Sequence, residues 1–383
     1  MKRTVHNGID NLQQILPSLQ GARVGLITNP TGVDKSLRST VDLLHGAGVL
    51  TCLFSPEHGV RGDLQAGAHV ETYTDAATGL PVYSTYGGSL HIPREILDTL
   101  DAVAFDIQDV GARYYTYMYT LSFAMEDCAV ANKRMIVFDR INPVGGMRPE
   151  GTVLEREFSS FVGRYPLATR HNLTMGEYAR YINDTERIGC DLTVVPVTGW
   201  VRDCYFDETD LVWVQPSPNI PTVDSAVAYL CTCLAEGTNL SEGRGTTRPF
   251  EQVGAPWLNA QLVVDAMNEQ KLSGVIFRPC CFTPVFSKHA NEMCRGVMVH
   301  VTDRRAFLPF ETGMRLFDCI KKTHAEFSFL APYKEGAHAF VDLLLGTDAF
   351  RKDDFALETF LGEQRKKVAD YEQKIKPYYL YTT

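Results

Sequence analysis

The chain has 383 residues, of which 45% are hydrophobic and 22% charged, with a formal net charge of -9. That length points to two domains, and a core of this size needs no disulfide or metal staple. The acidic balance argues against partners read through a basic face, so neither nucleic acid nor an anionic membrane surface is expected, and no stretch approaches the roughly 18 apolar residues of a membrane span.

The first residues, Met1 to Gly8, carry Lys2 and Arg3 but no apolar segment behind them, so they do not make an intact export signal. The chain as given reads as cytoplasmic, or as periplasmic or secreted with a signal already trimmed. Its ten cysteines include Cys231/Cys233 and Cys280/Cys281, set in apolar runs without the spaced partners of a zinc site. They read as buried, reduced thiols.

Five apolar runs each end in a burst of polar residues. Val24 to Thr28 leads into Asn29-Pro30-Thr31-Gly32, and a helix is predicted over 36–45, where Leu37, Val41 and Leu44 recur at helical spacing. Val49 to Phe54 leads into Ser55-Pro56-Glu57-His58-Gly59, then a long excursion through Gly79-Leu80-Pro81-Val82-Tyr83 to a helix near 93–100. Ala102 to Phe105 leads into Asp106-Ile107-Gln108-Asp109-Val110-Gly111 and an aromatic helix over 114–128. Met135 to Phe138 leads into Asp139-Arg140-Ile141-Asn142-Pro143. Little periodicity follows between 145 and 174, until Thr174 and Glu177 take the spacing of a capping box. A strand is predicted over 193–197, and the proline-rich Gln215 to Thr222 must be a rigid loop. The fifth run, Tyr229 to Leu234, leads into Glu236-Gly237-Thr238-Asn239-Leu240-Ser241-Glu242-Gly243-Arg244.

Short β-branched runs alternating with helix-length segments predict an α/β fold, a parallel sheet covered on both faces. Ligands of such sheets bind outside the carboxyl ends of the strands. All five bursts are expected at such ends, which gathers Glu57, Asp109, Asp139 and Glu242 on one rim and makes an enzyme the leading expectation. We divide the chain into a catalytic domain over 1–255 and a smaller auxiliary domain over 256–383. The latter is predicted to hold helices over 260–270, 310–321, 339–345 and 357–376, strands over 275–277 and 296–301, and a docked aromatic end, Tyr378-Tyr379-Leu380-Tyr381. It has no comparable polar burst, so a supporting or cleft-closing role is expected.

The bursts suit acid–base chemistry on a polar substrate. Glu57, thrown past the end of its strand by Ser55-Pro56, is placed to act as a general acid, or more blandly to cap the next helix or pair with Arg61. Asp109 and Arg113 open an aromatic helix whose N-terminal dipole favours anions; Arg113 could grip a carboxylate, and rings such as Tyr114 could stack on a sugar. Ser241 to Arg248 joins flexible glycines to Glu242, Arg244 and Thr246, equipment either for glycoside cleavage by paired carboxylates or for an anion cradle. The dinucleotide fingerprint, the phosphate loop and the nucleophile elbow are all absent. A metal site can be drawn from His58, Asp109, Asp139 and His171, but no compact ligand motif supports it, so neither metal nor cofactor is expected.

The motifs from Leu26 to Gly32, Ser55 to Gly59, Asp106 to Arg113, Asp139 to Pro143 and Glu236 to Glu251 resemble the NamZ family of exo-β-N-acetylmuramidases, with a likeness running from about Gly8 to the C-terminus. The resemblance implies a Rossmann-like N-terminal domain with the site at its edge, a smaller α+β C-terminal domain, and release of N-acetylmuramic acid from the non-reducing end of peptidoglycan fragments. It makes Glu57 the general acid, oriented by His58, with Glu242 or Asp109 activating water or stabilising an oxocarbenium-like transition state. Asn29, Arg61, Gln108, Arg113, Tyr114, Asn142, His171, Asn219, Arg244 and Thr246 would bind substrate, the lactyl carboxylate giving Arg113 or Arg244 its task. Two departures stand out: Ile141 where proline is expected, and Asn172, beside His171, where glycine is expected. The family is also often exported, which conflicts with the missing signal. The rival readings are a non-catalytic binder of muropeptides or acidic sugars, and a metal-dependent hydrolase.

Overall fold

The computed structural model describes residues 2–56, 59–61, 72–85 and 90–382. Its strands, in chain order, are β1 (Val24–Thr28), β2 (Leu50–Ser55), β3 (Tyr73–Thr74), β4 (Pro81–Ser84), β5 (Ala102–Asp106), β6 (Arg134–Phe138), β7 (Glu150–Val153), β8 (Ala168–Arg170), β9 (Asp191–Val195), β10 (Gln252–Ala255), β11 (Val275–Phe282) and β12 (Cys294–Val301). Among the described residues they form a seven-stranded sheet ordered β3-β4-β2-β1-β5-β6-β9, a three-stranded sheet ordered β10-β12-β11, and the pair β7-β8. The α-helices are α1 (Leu12–Ile15), α2 (Thr40–Gly46), α3 (Arg94–Leu97), α4 (Tyr117–Ala131), α5 (Met175–Thr185), α6 (Val223–Thr232), α7 (Ala260–Glu269), α8 (Pro309–Thr323), α9 (Phe340–Leu345) and α10 (Leu357–Ile375).

The large sheet is parallel apart from β3, which runs antiparallel to β4 at the edge. Every residue of β1 and β5 is buried, the two-sided burial that makes such strands continuous apolar runs. β1 pairs with β2 on one side and β5 on the other. The chain therefore leaves β1 toward β2 and β4, then crosses back to β5, β6 and β9. That reversal makes the crevice outside the carboxyl ends of β1 and β5 the topological switch point, where open α/β sheets hold ligands. The last register pair there is Thr28 with Asp106, so the loops starting at Asn29 and Ile107 leave the sheet side by side.

The fifth run breaks the sequence pattern. Tyr229 to Leu234 is no strand: it lies in α6 and the 3₁₀ turn Cys233–Gly237 that continues it. Thr222 caps α6 by accepting from the Ser225 amide, and nearly every α6 residue is buried. A helix enclosed on all sides loses its polar face, and a short apolar run then reads the same as a buried strand. The polar burst after it consequently leaves a helix end rather than the sheet.

α4 begins at Tyr117, three residues later than expected, because residues before it are used elsewhere: Ala112 bridges to Arg170 and the Arg113 amide donates to Thr169. The aperiodic stretch after Gly145 contains the β7-β8 pair. The capping box of α5 forms as read, Thr174 and Glu177 bonding reciprocally. β10 pairs with β12, so Gln252 to Ala255 belong to the second sheet. α6 and α7 pack on α8, and α10 lies along β7. The terminal aromatics dock: Tyr379 lies 3.4 Å beneath the Arg202 guanidinium, and Tyr381 Oη donates to Asp139. All ten cysteines are free thiols; Cys231 and Cys233 are buried, whereas Cys281 is exposed. Among the described residues no helix is long and apolar enough to cross a membrane.

Candidate active site

The switch point is lined by short polar side chains that bind neighbouring loops to one another. Asn29 accepts from both the amide and the hydroxyl of Thr31, at 2.9 and 2.5 Å, a local turn that asparagine favours. Thr31 Oγ1 accepts from the Gln108 amide at 2.8 Å, and the Gln108 side-chain amide donates to the carbonyls of Asp109 and Ile141. The proline loop is held here too, since the Pro216 carbonyl accepts from Asn29 and from Tyr117 Oη. Within that loop Asn219 is buried.

Asp109 is the carboxylate at the centre. Its Oδ2 accepts from the Gly111 amide at 2.6 Å and faces His171 Nε2 at 3.0 Å, while its Oδ1 is enclosed without a hydrogen-bond partner among the described residues. His171 Nδ1 accepts from the Leu173 amide, which leaves Nε2 as the protonated nitrogen that donates to Asp109. Asn142 completes the ring, donating to the Leu173 carbonyl and accepting from the Val144 amide. Gly111 is required at its place: φ is +79°, and a Cβ there would lie 2.6 Å from Asn142 Oδ1. Asn172 stands at φ 69° with its amide donating to Gly146. A left-handed backbone accounts for glycine or asparagine at this position, so Asn172 preserves the loop that presents His171.

A layer of buried charge supports these loops from below. Arg140 holds Asp106 bidentately, at 2.5 and 2.9 Å, and also donates to the Val33 carbonyl. Thr40 donates to the same carboxylate. Asp139 accepts from the Arg140 and Gly176 amides, Thr174 and Tyr381. Burial pushes its carboxyl up to about 6, against the pull of those donors. All its lone pairs face protein donors, so Asp139 braces the rim rather than meeting a substrate.

Arg113 is the clearest correction to the sequence reading. It is fully buried away from the rim, and its Nη2 donates to Thr152 Oγ1 and to the carbonyls of Leu344 and Leu345 at the end of α9. Tyr114 is likewise core: its hydroxyl donates to the Tyr229 carbonyl and its ring meets Tyr229 edge-on at 5.0 Å. Arg61 forms a bidentate pair with Asp75, at 3.0 Å for both bonds, and lies 3.7 Å from Asp42. Glu57 and His58 lie outside the described residues, between Pro56 just past the end of β2 and Gly59.

Glu242, Arg244 and Thr246 form a second cluster. Glu242 is almost wholly buried, with Lys288 Nζ at 2.9 Å and Arg244 Nε at 3.5 Å. Arg244 directs two nitrogens at Glu236, whose carboxyl burial raises against the pull of that guanidinium. Thr246 Oγ1 braces the turn by donating to Gly243 and accepting from Gln252. An aromatic ladder links the two clusters: Tyr117 to Tyr115 at 5.2 Å, Tyr115 to Tyr229 at 6.1 Å, Tyr229 to Phe250 at 4.6 Å, and Arg244 over Phe250 at 5.2 Å.

The sequence reading gave no role to Arg140, Asp106 or Glu236, although their motifs were in view. It missed Lys288 altogether, which comes from the loop between β11 and β12 and has no motif around it. The arrangement offers two enclosed carboxylates, one set by a histidine of fixed tautomer and one by two cations, on loops that are rigidly cross-braced. Such groups can stabilise developing positive charge or take a proton from water.

Two family models, Exo-beta-N-acetylmuramidase NamZ, N-terminal, and Exo-beta-N-acetylmuramidase NamZ, C-terminal, match residues 24–224 and 227–381. The chain is 44% identical over 387 residues to the peptidoglycan beta-N-acetylmuramidase NamZ of Bacillus subtilis (strain 168), covering 99% of this chain and 92% of that protein. Two crystal structures of DUF1343 family proteins from Bacteroides fragilis NCTC 9343 share the fold. One superposes with a TM-score of 0.89 at 36% identity over 100% of both chains, the other with 0.79 at 28% over 99% of both.

Proposed function

The chain belongs to the NamZ family of exo-β-N-acetylmuramidases, and from that premise we propose that it is a glycoside hydrolase releasing N-acetylmuramic acid from the non-reducing end of peptidoglycan fragments. The observation that carries the reading to particular residues is the Asp109–His171 pair at the switch point, a buried carboxylate with one oxygen unpaired among the described residues. Glu57 is the proposed general acid that protonates the leaving glycosidic oxygen, with His58 orienting it. Asp109 or Glu242 is the second carboxylate, which activates water or stabilises the oxocarbenium-like transition state. Asn29, Gln108, Asn142, His171 and Asn219 shape the sugar subsite. Of the two arginines proposed for the lactyl carboxylate, the enclosure of Arg113 leaves Arg244.

The test is release of free N-acetylmuramic acid from its disaccharide with N-acetylglucosamine at the reducing end, by wild type and Glu57→Gln, each with and without chelator. Removing a general acid should cost about 10²–10⁴-fold in kcat with little change in KM. Near-normal turnover by folded Glu57→Gln would remove Glu57 from the mechanism. Loss of wild-type activity on chelation would favour a metal-dependent hydrolase, and saturable binding of the disaccharide without cleavage would favour a binding protein.

A further inference from the structure

Among the described residues Glu242 has two cations beside it, but they are not equivalent. Arg244 aims Nε and Nη2 at Glu236 and reaches Glu242 only at 3.5 Å, so its charge is matched mainly by Glu236. Lys288 is the nearer cation, 2.9 Å from Glu242 Oε2. Lys288 donates to the carbonyls of Ala235 at 2.6 Å and Thr238 at 3.0 Å, while its contact with Glu242 is ionic, Oε2 having no hydrogen-bond partner among the described residues. The two carbonyls hold the ammonium beside the carboxylate, and at 22% side-chain exposure it is largely screened from water.

Lys288 comes from the loop between β11 and β12, in the part of the chain expected to be auxiliary. One backbone and one side-chain contact seat that loop on the glycine turn and the residues before it. The Val285 amide donates to the Gly245 carbonyl at 2.9 Å, and His289 Nε2 lies 2.7 Å from the Asn239 carbonyl. Gly245 has φ +77°, and a Cβ there would lie 2.7 Å from the Phe286 carbonyl oxygen, so only glycine allows the approach. The second sheet thus delivers one charged group to the carboxylate through a rigid mount.

We propose that Lys288 is a positioning residue for the hydrolysis: it holds a balancing positive charge against Glu242, and thereby makes the β11–β12 loop part of the active site. This rests on the reading that Glu242 acts in the reaction. The competing role is a staple that holds the loop to the carbonyls of Ala235 and Thr238. Lys288→Gln separates the two, since an amide can still donate to those carbonyls but carries no charge.

The experiment measures kcat and KM on the disaccharide for Lys288→Gln, Lys288→Arg, Glu242→Gln and the double variant Lys288→Gln/Glu242→Gln, with thermal melts confirming folding. If Lys288 acts through Glu242, Lys288→Gln should lower kcat by about 10–100-fold with KM within about twofold, and Lys288→Arg should recover most of the loss. Adding Lys288→Gln to Glu242→Gln should then change kcat by less than about twofold, because residues working as one unit are not additive. Multiplicative losses in the double variant, or wild-type kcat in Lys288→Gln, would overturn the assignment. Should Lys288→Gln fail to fold, Lys288→Met compared in the wild-type and Glu242→Gln backgrounds decides: a kcat loss confined to the wild-type background would uphold action through Glu242, and an equal loss in both, or none in either, would overturn it. Full turnover by Glu242→Gln would defeat the reading of Glu242 itself, and this proposal with it.

Discussion

Asp109 offers the sharpest separation of chemistry from scaffolding. Its Oδ2 receives two buried donors, the Gly111 amide and His171 Nε2, and its Oδ1 receives none among the described residues. In Asp109→Asn the amide oxygen can take the Oδ2 place and keep both donors, with the NH₂ falling where Oδ1 stood unpaired. In Asp109→Ala both donors are orphaned, at about 1–3 kcal/mol each, or about 2–6 kcal/mol together. Unfolding entropy of about 2.1 cal/mol/K per residue gives this chain about 0.8 kcal/mol/K, so Asp109→Ala should melt about 3–7 °C lower. Asp109→Asn should melt within about 2 °C of wild type if its oxygen is retained at Oδ2. Turnover should divide differently: loss of the negative charge alone is expected to cost Asp109→Asn about 10²–10³-fold in kcat on the disaccharide, with KM nearly unchanged. Calorimetry and steady-state kinetics on the two variants decide the matter. A folded Asp109→Asn within about fivefold of wild-type kcat would refute a charge role for Asp109, as would activity that simply tracked the melting temperature across both variants.

Three further outcomes follow from the scaffold. Arg140→Met leaves the buried Asp106 carboxylate unpaired, which at about 3–5 kcal/mol should lower the melting temperature by about 4–6 °C; an unchanged melt would show that the pair is not holding the rim. At Asn172 the backbone is left-handed, so Asn172→Ala should be less stable than Asn172→Gly by about 1 kcal/mol, and equal melts would refute the strain argument. Burial pushes the Glu150 carboxyl up to about 7 from its ordinary 4.5. The folded state therefore holds a proton that the unfolded state has released, and the associated stability is present below the unfolded value and lost as pH rises through about 7. Glu150→Gln, which keeps the oxygen that accepts from the Glu311 amide, should not show that fall. Parallel melting curves for the two proteins between about pH 5 and 8 would contradict it.

What the sequence determined by itself was whatever local physics decides. The strands at Val24, Leu50, Ala102 and Arg134 were legible because two-sided burial writes itself as an apolar run. The start of α5 was legible because Thr174 and Glu177 satisfy each other within one turn. The polar ends of three of those strands, at Val24, Ala102 and Arg134, were enough to bring Asn29, Gln108, Asp109 and Asn142 to one crevice. Tertiary structure decided the rest, since a long side chain's destination and an enclosed helix's identity depend on partners far along the chain. Arg113 is drawn into the core by carbonyls 231 and 232 residues away, and Tyr381 reaches Asp139 across 242. Tyr229 to Leu234 is helical because neighbours on every side supply the burial that a strand would have taken from its sheet. Lys288 meets Glu242 only because β11 and β12 fold back over a glycine turn, a juxtaposition set by backbone packing that no spacing within the sequence encodes.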